Sequence, residues 1–302
     1  MKLRKILIGT AVAAVAVALT ACGAPGSATS GGSTSTSAAG AGPYDLAVAE
    51  SPTFEAGTTM AKLAEAGTMK IGTKFDQPLF GLRGLDGKPV GFDAAIGSLV
   101  ASKLGIPFDK IEWTETVSAN REPFLQSGQV DAVIATYTIN DKRKQVVDFA
   151  GPYFVAGQSI LVLEGNTEIT KPEDLAGKAV CSVEGSTPAS NIVEKYGAVL
   201  QPTDVYSKCL DPLKNGQVVA MTTDNVILSG FVDQNPGVFK LVGDTFTAEP
   251  YGIGLTKDDT AMRTFVNETL QAAYDDGTWA RLFEQTAGTV IPVPTPPTID
   301  QY

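Results

Sequence analysis

Histidine does not occur anywhere in the 302 residues. The commonest metal ligand and the usual general base are therefore missing, which excludes histidine-based metal sites and hydrolytic triads. Cysteine is scarce, with Cys22, Cys181 and Cys209 making three, too few for a cysteine-ligated zinc once Cys22 is set apart with the leader described below. No cofactor is expected. Positive charge is also in short supply: 23 Lys and Arg stand against 33 Asp and Glu, for a net charge of −10. An acidic surface argues against nucleic acid and anionic lipid head groups as partners. The leader holds one long apolar run, Ile6 to Ala21.

That run follows Lys2, Arg4 and Lys5; it is short for a membrane span and suits the apolar region of a secretory signal. It ends in Leu19-Thr20-Ala21-Cys22-Gly23, which resembles a bacterial lipobox with Cys22 as the diacylated first residue of the mature chain. Residues 1–21 are thus expected to be a lipoprotein signal peptide. Their removal takes away three positive charges and no negative one, moving the net charge from −10 to −13. The alternative is an uncleaved anchor helix with an incidental cysteine. Either way the protein is exported and held at the outer face of the cytoplasmic membrane, as on the surface of a Gram-positive-type bacterium. Gly23 to Gly42 contains only Gly, Ala, Ser, Thr and Pro. Such a stretch cannot bury enough surface to fold, so residues 22–44 read as a flexible tether.

Roughly 260 residues lie beyond the tether, too many for one small core and about right for two α/β lobes. Phe54 to Ala66 reads as a lead-in helix, Met69 to Thr73 as a strand, and Ala94 to Leu104 as a helix closed by Gly105. The turn residues Asp86-Gly87 mark a hairpin. A short helix begins near Asn120 and ends at Gly128, and Val130 to Ala135 then forms an apolar run of the kind that fills the middle of a parallel sheet. Ala179 to Val183 and Val218 to Thr223 read as strands and Ser207 to Asn215 as a helix. Two later helices, Lys257 to Gly277 and Thr278 to Thr286, return to the first lobe, and the proline-rich tail Ile291 to Tyr302 is expected to be irregular and packed only in part. Pro152 to Val155, leading into Gln158 to Leu163, and Pro250 to Leu255 are the extended segments where the chain can change lobes. The expected division is 45–155 with 252–302 for lobe 1 and 156–251 for lobe 2. Two crossings make a hinge, and a cleft between lobes is a preferred place for a small ligand.

Cys181 and Cys209 fall in the second lobe. A spare pair in an exported protein usually forms a disulfide, two free buried thiols being the alternative. By this placement the bond stabilises its lobe and takes no part in the pocket.

The chemistry concentrates where apolar strands give way to polar turns, because ligands of open α/β sheets sit outside the carboxyl ends of the strands. The central run ends in Thr136-Tyr137-Thr138-Ile139-Asn140-Asp141-Lys142-Arg143. An arginine there can fork both oxygens of a carboxylate. Ser186 and Thr187 open a helix after Gly185, and a helix N-terminus attracts a carboxylate; the alternative is an ordinary cap, which can also touch a ligand. Asp224 ends a strand and either caps the following helix or faces the cleft.

The pattern N-R-x-x-F-L-x-x-G-x-V-D, then A-T-Y-T-I-N-x-x-R, then D-F-A-x-P-Y resembles the polar-amino-acid branch of bacterial extracellular solute-binding proteins, the soluble receptors of ABC importers. The likeness runs from about Met69 to Gln285, and Gly72 to Leu82 is similar to the actinobacterial glutamate-binding lipoproteins. It implies a two-lobed α/β fold of the type II periplasmic-binding kind, a monomer, and an ABC permease as partner. It also implies that Arg143 and Thr138 hold an α-carboxylate and that Asp224, assisted by Thr136, accepts the α-ammonium. Basic residues at Lys74 and Arg121, with Ser118 beside them, would take a side-chain carboxylate. The expected ligand is thus an acidic amino acid, L-glutamate ahead of aspartate. Arg121 could instead form an ion pair that braces its helix, and glutamine or asparagine would then be the better ligand. Another class is an enzyme on the same scaffold, such as a cyclohexadienyl dehydratase or a lytic transglycosylase. The lack of histidine and of any further catalytic module weighs against it. No signalling module follows the lobes to suggest a sensor.

Overall fold

The structure is a computed structural model and describes residues 42–302; the expected signal peptide, Cys22 and nearly all of the tether lie outside the described residues. Helix α1 (Thr59–Ala66) leads into β1 (Met69–Thr73), and a small meander of β2 (Asp76–Gln77), β3 (Gly81–Arg83) and β4 (Pro89–Val90) precedes α2 (Phe92–Lys103). Then come β5 (Ile111–Glu115), α3 (Arg121–Gln126), β6 (Ala132–Val133) and α4 (Asp141–Lys144). The long strand β7 (Asp148–Ala156) runs almost without a break into β8 (Gln158–Leu163). β9 (Ala179–Val183), α5 (Thr187–Glu194), β10 (Val199–Thr203), α6 (Leu210–Lys214), β11 (Ala220–Asp224), α7 (Asn225–Gln234) and β12 (Phe239–Val242) follow. β13 (Glu249–Leu255), α8 (Thr260–Asp275) and α9 (Thr278–Gln285) complete the set.

The strands form two five-stranded sheets with the same plan. The first runs β5-β1-β6-β13-β7 and the second β10-β9-β11-β8-β12. In each, three parallel strands build one side, and a strand arriving from the other sheet lies antiparallel beside them. The chain passes from the first sheet to the second between Ala156 and Gln158 and returns between Val242 and Glu249. β7 and β13 pair at Glu249–Ala156, so the two crossings lie side by side.

Several local details depart from the sequence-based expectations. The central strand is shorter than Val130 to Ala135: only Ala132 and Val133 are strand, although Asp131 and Ile134 continue the ladder by donating to Lys70 and Gly72 carbonyls. The strand stops because Thr136 adopts φ +43°, the left-handed region that a β-branched residue rarely enters. The lead-in helix starts at Thr59, where Thr58 caps it by accepting from Ala61 N–H. Ser207 to Asn215 divides into a 3-10 turn over Tyr206–Cys209 and the short α6.

Helix α2 is buried from Phe92 to Ser102, which its all-round apolar sequence requires. At the crossings Phe80, Phe92, Tyr153, Phe154 and Tyr251 form one aromatic cluster, in which Phe92 meets Trp279 and Phe283 of α9 edge to face and Phe154 stacks on Phe283. The tail is irregular, as expected, yet its end is docked. Asp300 N–H donates to Gly151 carbonyl, Phe149 N–H donates to the Tyr302 hydroxyl, and the Tyr302 ring lies 3.8 Å from Lys144 Nζ and 4.4 Å from the Arg263 guanidinium.

Cys181 on β9 and Cys209 at the end of the 3-10 turn form a disulfide, with Cα atoms 5.6 Å apart. It closes a segment of 28 residues, worth about 3–4 kcal/mol in the chain-entropy account. Reduction should lower the melting temperature by roughly 10 °C for a domain of this size; calorimetry with and without reductant showing no change would overturn this.

Candidate functional site

Seven of the residues singled out from sequence line one enclosed cavity between the sheets: Ser118, Arg121, Thr136, Thr138, Ser186, Thr187 and Asp224. Each stands just beyond the carboxyl end of a strand or opens the helix that follows. The cavity is about 10 Å³, the space of one water. It adjoins a groove of about 1100 Å³ that shares Ser118, Thr138, Ser186 and Thr187 and adds Glu122, Arg143, Gly185 and Glu249. A ligand larger than water enters the cavity only if its walls move apart.

Lys74 does not line the cavity, and Arg143 lines only the adjoining groove. Lys74, 3% exposed, directs Nζ to Ser118 Oγ at 2.9 Å. Burial, reinforced by the nearby Arg121 charge, lowers its pKa to about 7. Arg121, 2% exposed, makes no ion pair among the described residues. Its donors go instead to carbonyls: Nε to Ser118, Nη1 to Ala135 and Thr136, and Nη2 to Gly185. The guanidinium also lies 4.3 Å from the centre of the Tyr137 ring. The ion pair considered as its alternative role is thus replaced by carbonyl bonds, which hold the cation without neutralising it.

Arg143 does have a carboxylate partner, Glu122, at 3.1 Å from Nε. Nη1 donates to Thr138 carbonyl at 2.7 Å and Nη2 to Gly185 carbonyl at 3.0 Å. Burial and the neighbouring Arg121 lower its pKa to about 10. One carbonyl of the second half, Gly185, therefore meets both guanidinium groups. Gly185 has φ +77°, and a Cβ there would stand 3.0 Å from the Ala119 backbone, so glycine alone permits this approach.

Asp224 ends β11 and stands directly before α7, yet its side chain does not cap the helix. One oxygen accepts from the Tyr251 hydroxyl at 2.6 Å, and the other has no partner. Burial, then the charge of Glu249, raises its pKa to about 7 against the opposing pull of the Tyr251 bond. An unpartnered carboxylate oxygen in a closed cavity invites a cation or a hydrogen-bond donor. Ser186, by contrast, is an ordinary helix cap, its Oγ accepting from Ala189 N–H, and it lines the cavity as well.

Four further groups escaped the sequence reading. Glu249, buried at the second crossing, accepts from Thr138, Thr187 and Thr247 hydroxyls at 2.7, 2.6 and 2.8 Å. A hydroxyl has one hydrogen, so the Thr138 side chain has none left to give a carboxylate. Gln77 accepts from the Thr136 hydroxyl at 3.0 Å, and its amide nitrogen is unpartnered. Asp93 accepts from Thr136 N–H and the Tyr153 hydroxyl, and its pKa rises to about 6, chiefly by burial. It pins the strained Thr136 backbone. Tyr206 lines the cavity three residues before Cys209, so the disulfide braces a pocket wall, closer to the site than its expected separation from the pocket. A lone acidic residue in an otherwise apolar helix start is a signal that could have found Asp93. No comparable signal marks Glu249.

No group of His, Cys, Asp and Glu capable of holding a metal occurs among the described residues, and no helix among them is long and apolar enough to cross a membrane.

Comparison with known proteins assigns residues 69–289 to the family model of bacterial extracellular solute-binding proteins, family 3. The glutamate-binding protein GluB of Corynebacterium efficiens is 41% identical over 245 residues, 78% of this chain and 83% of that protein. The ABC transporter glutamine-binding protein GlnH of Bacillus subtilis is 38% identical over 231 residues, covering 75% and 84%. Among solved structures, an ancestral arginine-binding protein bound to glutamine matches with a TM-score of 0.68 and 40% identity, covering 73% of this chain and 97% of that one.

Lys74 and Asp224 give the site a testable pH signature. Folding depresses the Lys74 pKa from 10.5 to about 7. The folded chain therefore binds fewer protons between those values, and stability rises with pH across that window. Asp224 is raised from 3.8 to about 7, so its contribution is present at low pH and lost as pH rises toward 7. Urea unfolding should show wild type gaining on Lys74→Met from pH 7 to 10 and losing ground to Asp224→Asn from pH 4 to 7. Flat differences would refute the assignment.

Proposed function

The chain belongs to family 3 of the bacterial extracellular solute-binding proteins, and we propose on that footing that its cleft captures an acidic amino acid, L-glutamate foremost, for delivery to an ABC permease. The fold is that of the type II periplasmic amino-acid-binding proteins. The observation that carries the glutamate reading is the pair Lys74 and Arg121, buried without a carboxylate partner. A cation out of water is costly unless it meets an opposite charge. A ligand side-chain carboxylate between Ser118, Lys74 and Arg121 supplies it. Asp224 takes the α-ammonium on its open oxygen, and Arg143 receives the α-carboxylate as Gly185 carbonyl gives way. Relatives that bind glutamate and glutamine support a receptor role over an enzymatic one.

The finer points belong to the same proposal. Residues 45–155 with 252–302 form one lobe and 156–251 the other, turning about the paired crossings near Ala156 and Glu249. Residues 1–21 are a signal peptide, Cys22 carries the lipid, and the tether lets the receptor reach its permease from the outer face of the membrane.

A thermal-shift screen of the protein against the standard amino acids tests the reading at its base. A ligand at about 1,000 times its Kd adds about 4 kcal/mol of apparent stability, and no response to any amino acid would overturn the reading. Calorimetry then decides the ligand. Arg121→Ala should cost glutamate about 2–5 kcal/mol, the range for truncating one partner of a buried charge pair, or roughly 30-fold to several-thousand-fold in Kd. Glutamine, with no charge to lose, should suffer much less. Equal losses would reduce Arg121 to a brace and favour glutamine.

A further inference from the structure

We propose that Glu249 sets the hydrogen-bond polarity of the cleft, taking the hydroxyl hydrogen of Thr138 so that this threonine faces the ligand as an acceptor of its ammonium. This rests on the reading of the cleft as an amino-acid site. Glu249 is 3% exposed and begins β13, where the chain returns to the first sheet. One threonine reaches it from each half: Thr138 follows the central strand of the first sheet, and Thr187 opens α5 in the second. Both donate to the same oxygen, Oε2, while Thr247 donates to Oε1. A carboxylate accepts and does not donate, so the direction of all three bonds is fixed. The 3.3 Å contact between Thr138 and Thr187 oxygens joins two hydroxyls whose hydrogens are already committed.

What remains on Thr138, toward the cavity it lines with Asp224, is lone pairs. Thr136 is in the same state, its hydrogen given to Gln77. Ser118 and Ser186 are the reverse. Their oxygens already accept from Lys74 Nζ and Ala189 N–H, so their hydrogens are left to donate. The cavity is thus lined by accepting threonines with Asp224 and by donating serines with Arg121. An ammonium suits the first set and a carboxylate the second. Glu249 also places a negative charge behind the accepting hydroxyls, which strengthens them toward a cation. Glu249 is a positioning residue: it lines the adjoining groove and acts on the ligand through Thr138.

Calorimetry on the protein with matched pairs of ligands tests this. Glutamate is compared with glutarate, and glutamine with glutaramate; each pair differs only by the α-amino group. Wild type should prefer the amino acid, and Glu249→Gln should shrink that preference by roughly ten- to hundredfold, the worth of a charge-assisted hydrogen bond. Glu249→Asp, which keeps the charge, should restore part of it. Thr138→Val should lose the same preference, which keeps the test available if a Glu249 variant does not fold. Equal weakening of both members of a pair would make Glu249 a mere brace, and tighter binding of the amino acid would make it a competitor of the ligand carboxylate. Either result overturns the proposal. Wild type binding neither glutamate nor glutamine would overturn the functional reading itself, a failure distinct from an unchanged preference in Glu249→Gln.

Discussion

A buried cation without an ion-pair partner is the constraint on which the site depends. Arg121 is held by four carbonyls and the face of Tyr137, and Lys74 by the hydroxyl of Ser118. Carbonyl dipoles compensate part of the cost of desolvation but leave the net charge standing. The rest of the architecture serves to present that charge. The first sheet delivers Lys74 and Ser118 at its strand ends, α3 begins at Arg121, and Thr136 bends away from the ladder so that its carbonyl and that of Ala135 converge on the guanidinium. From the second half comes Gly185, whose carbonyl closes over both arginines. Closure and charge are therefore coupled: the same atoms that seal the cleft compete with any anion for it.

Much of this was legible in the sequence because strand ends announce themselves. An apolar run that turns abruptly to Thr, Ser, Arg or Asp marks a carboxyl end, and in this fold those ends face one another. Arg143 and Asp224 were found in this way, with the family likeness singling them out from their neighbours. What the sequence hid was the set of partners. Thr138 and Glu249 are 111 residues apart, and Thr136 and Gln77 are 59 apart. Neither Glu249 nor Gln77 sits in a pattern that distinguishes it from an exposed polar residue. Thr136 itself read as one more strand-end hydroxyl, and nothing in the sequence marks its left-handed backbone or the bond its N–H gives to Asp93.

The two sheets also show how repetition can be structural without being textual. Both have the same strand order, yet no internal repeat is visible along the chain, because each sheet needs only the alternation of strand and helix and is free in its choice of apolar residues. The asymmetry lies in the chemistry. The first half carries the cations Lys74, Arg121 and Arg143, and the second carries Asp224. A ligand bearing both signs would find an opposite charge on each half.

The docked tail has a consequence beyond the site. β7 is an edge strand of nine residues, and a strand of that length with open amides and carbonyls is a template for pairing with another chain. The final residues occupy that edge at two points, through Gly151 carbonyl and Phe149 N–H. The approach to them contains Pro292, Pro294, Pro296 and Pro297, which cannot themselves prolong a ladder. The tail thus works as a stopper on the open side of the first sheet and withholds that edge from pairing with another chain.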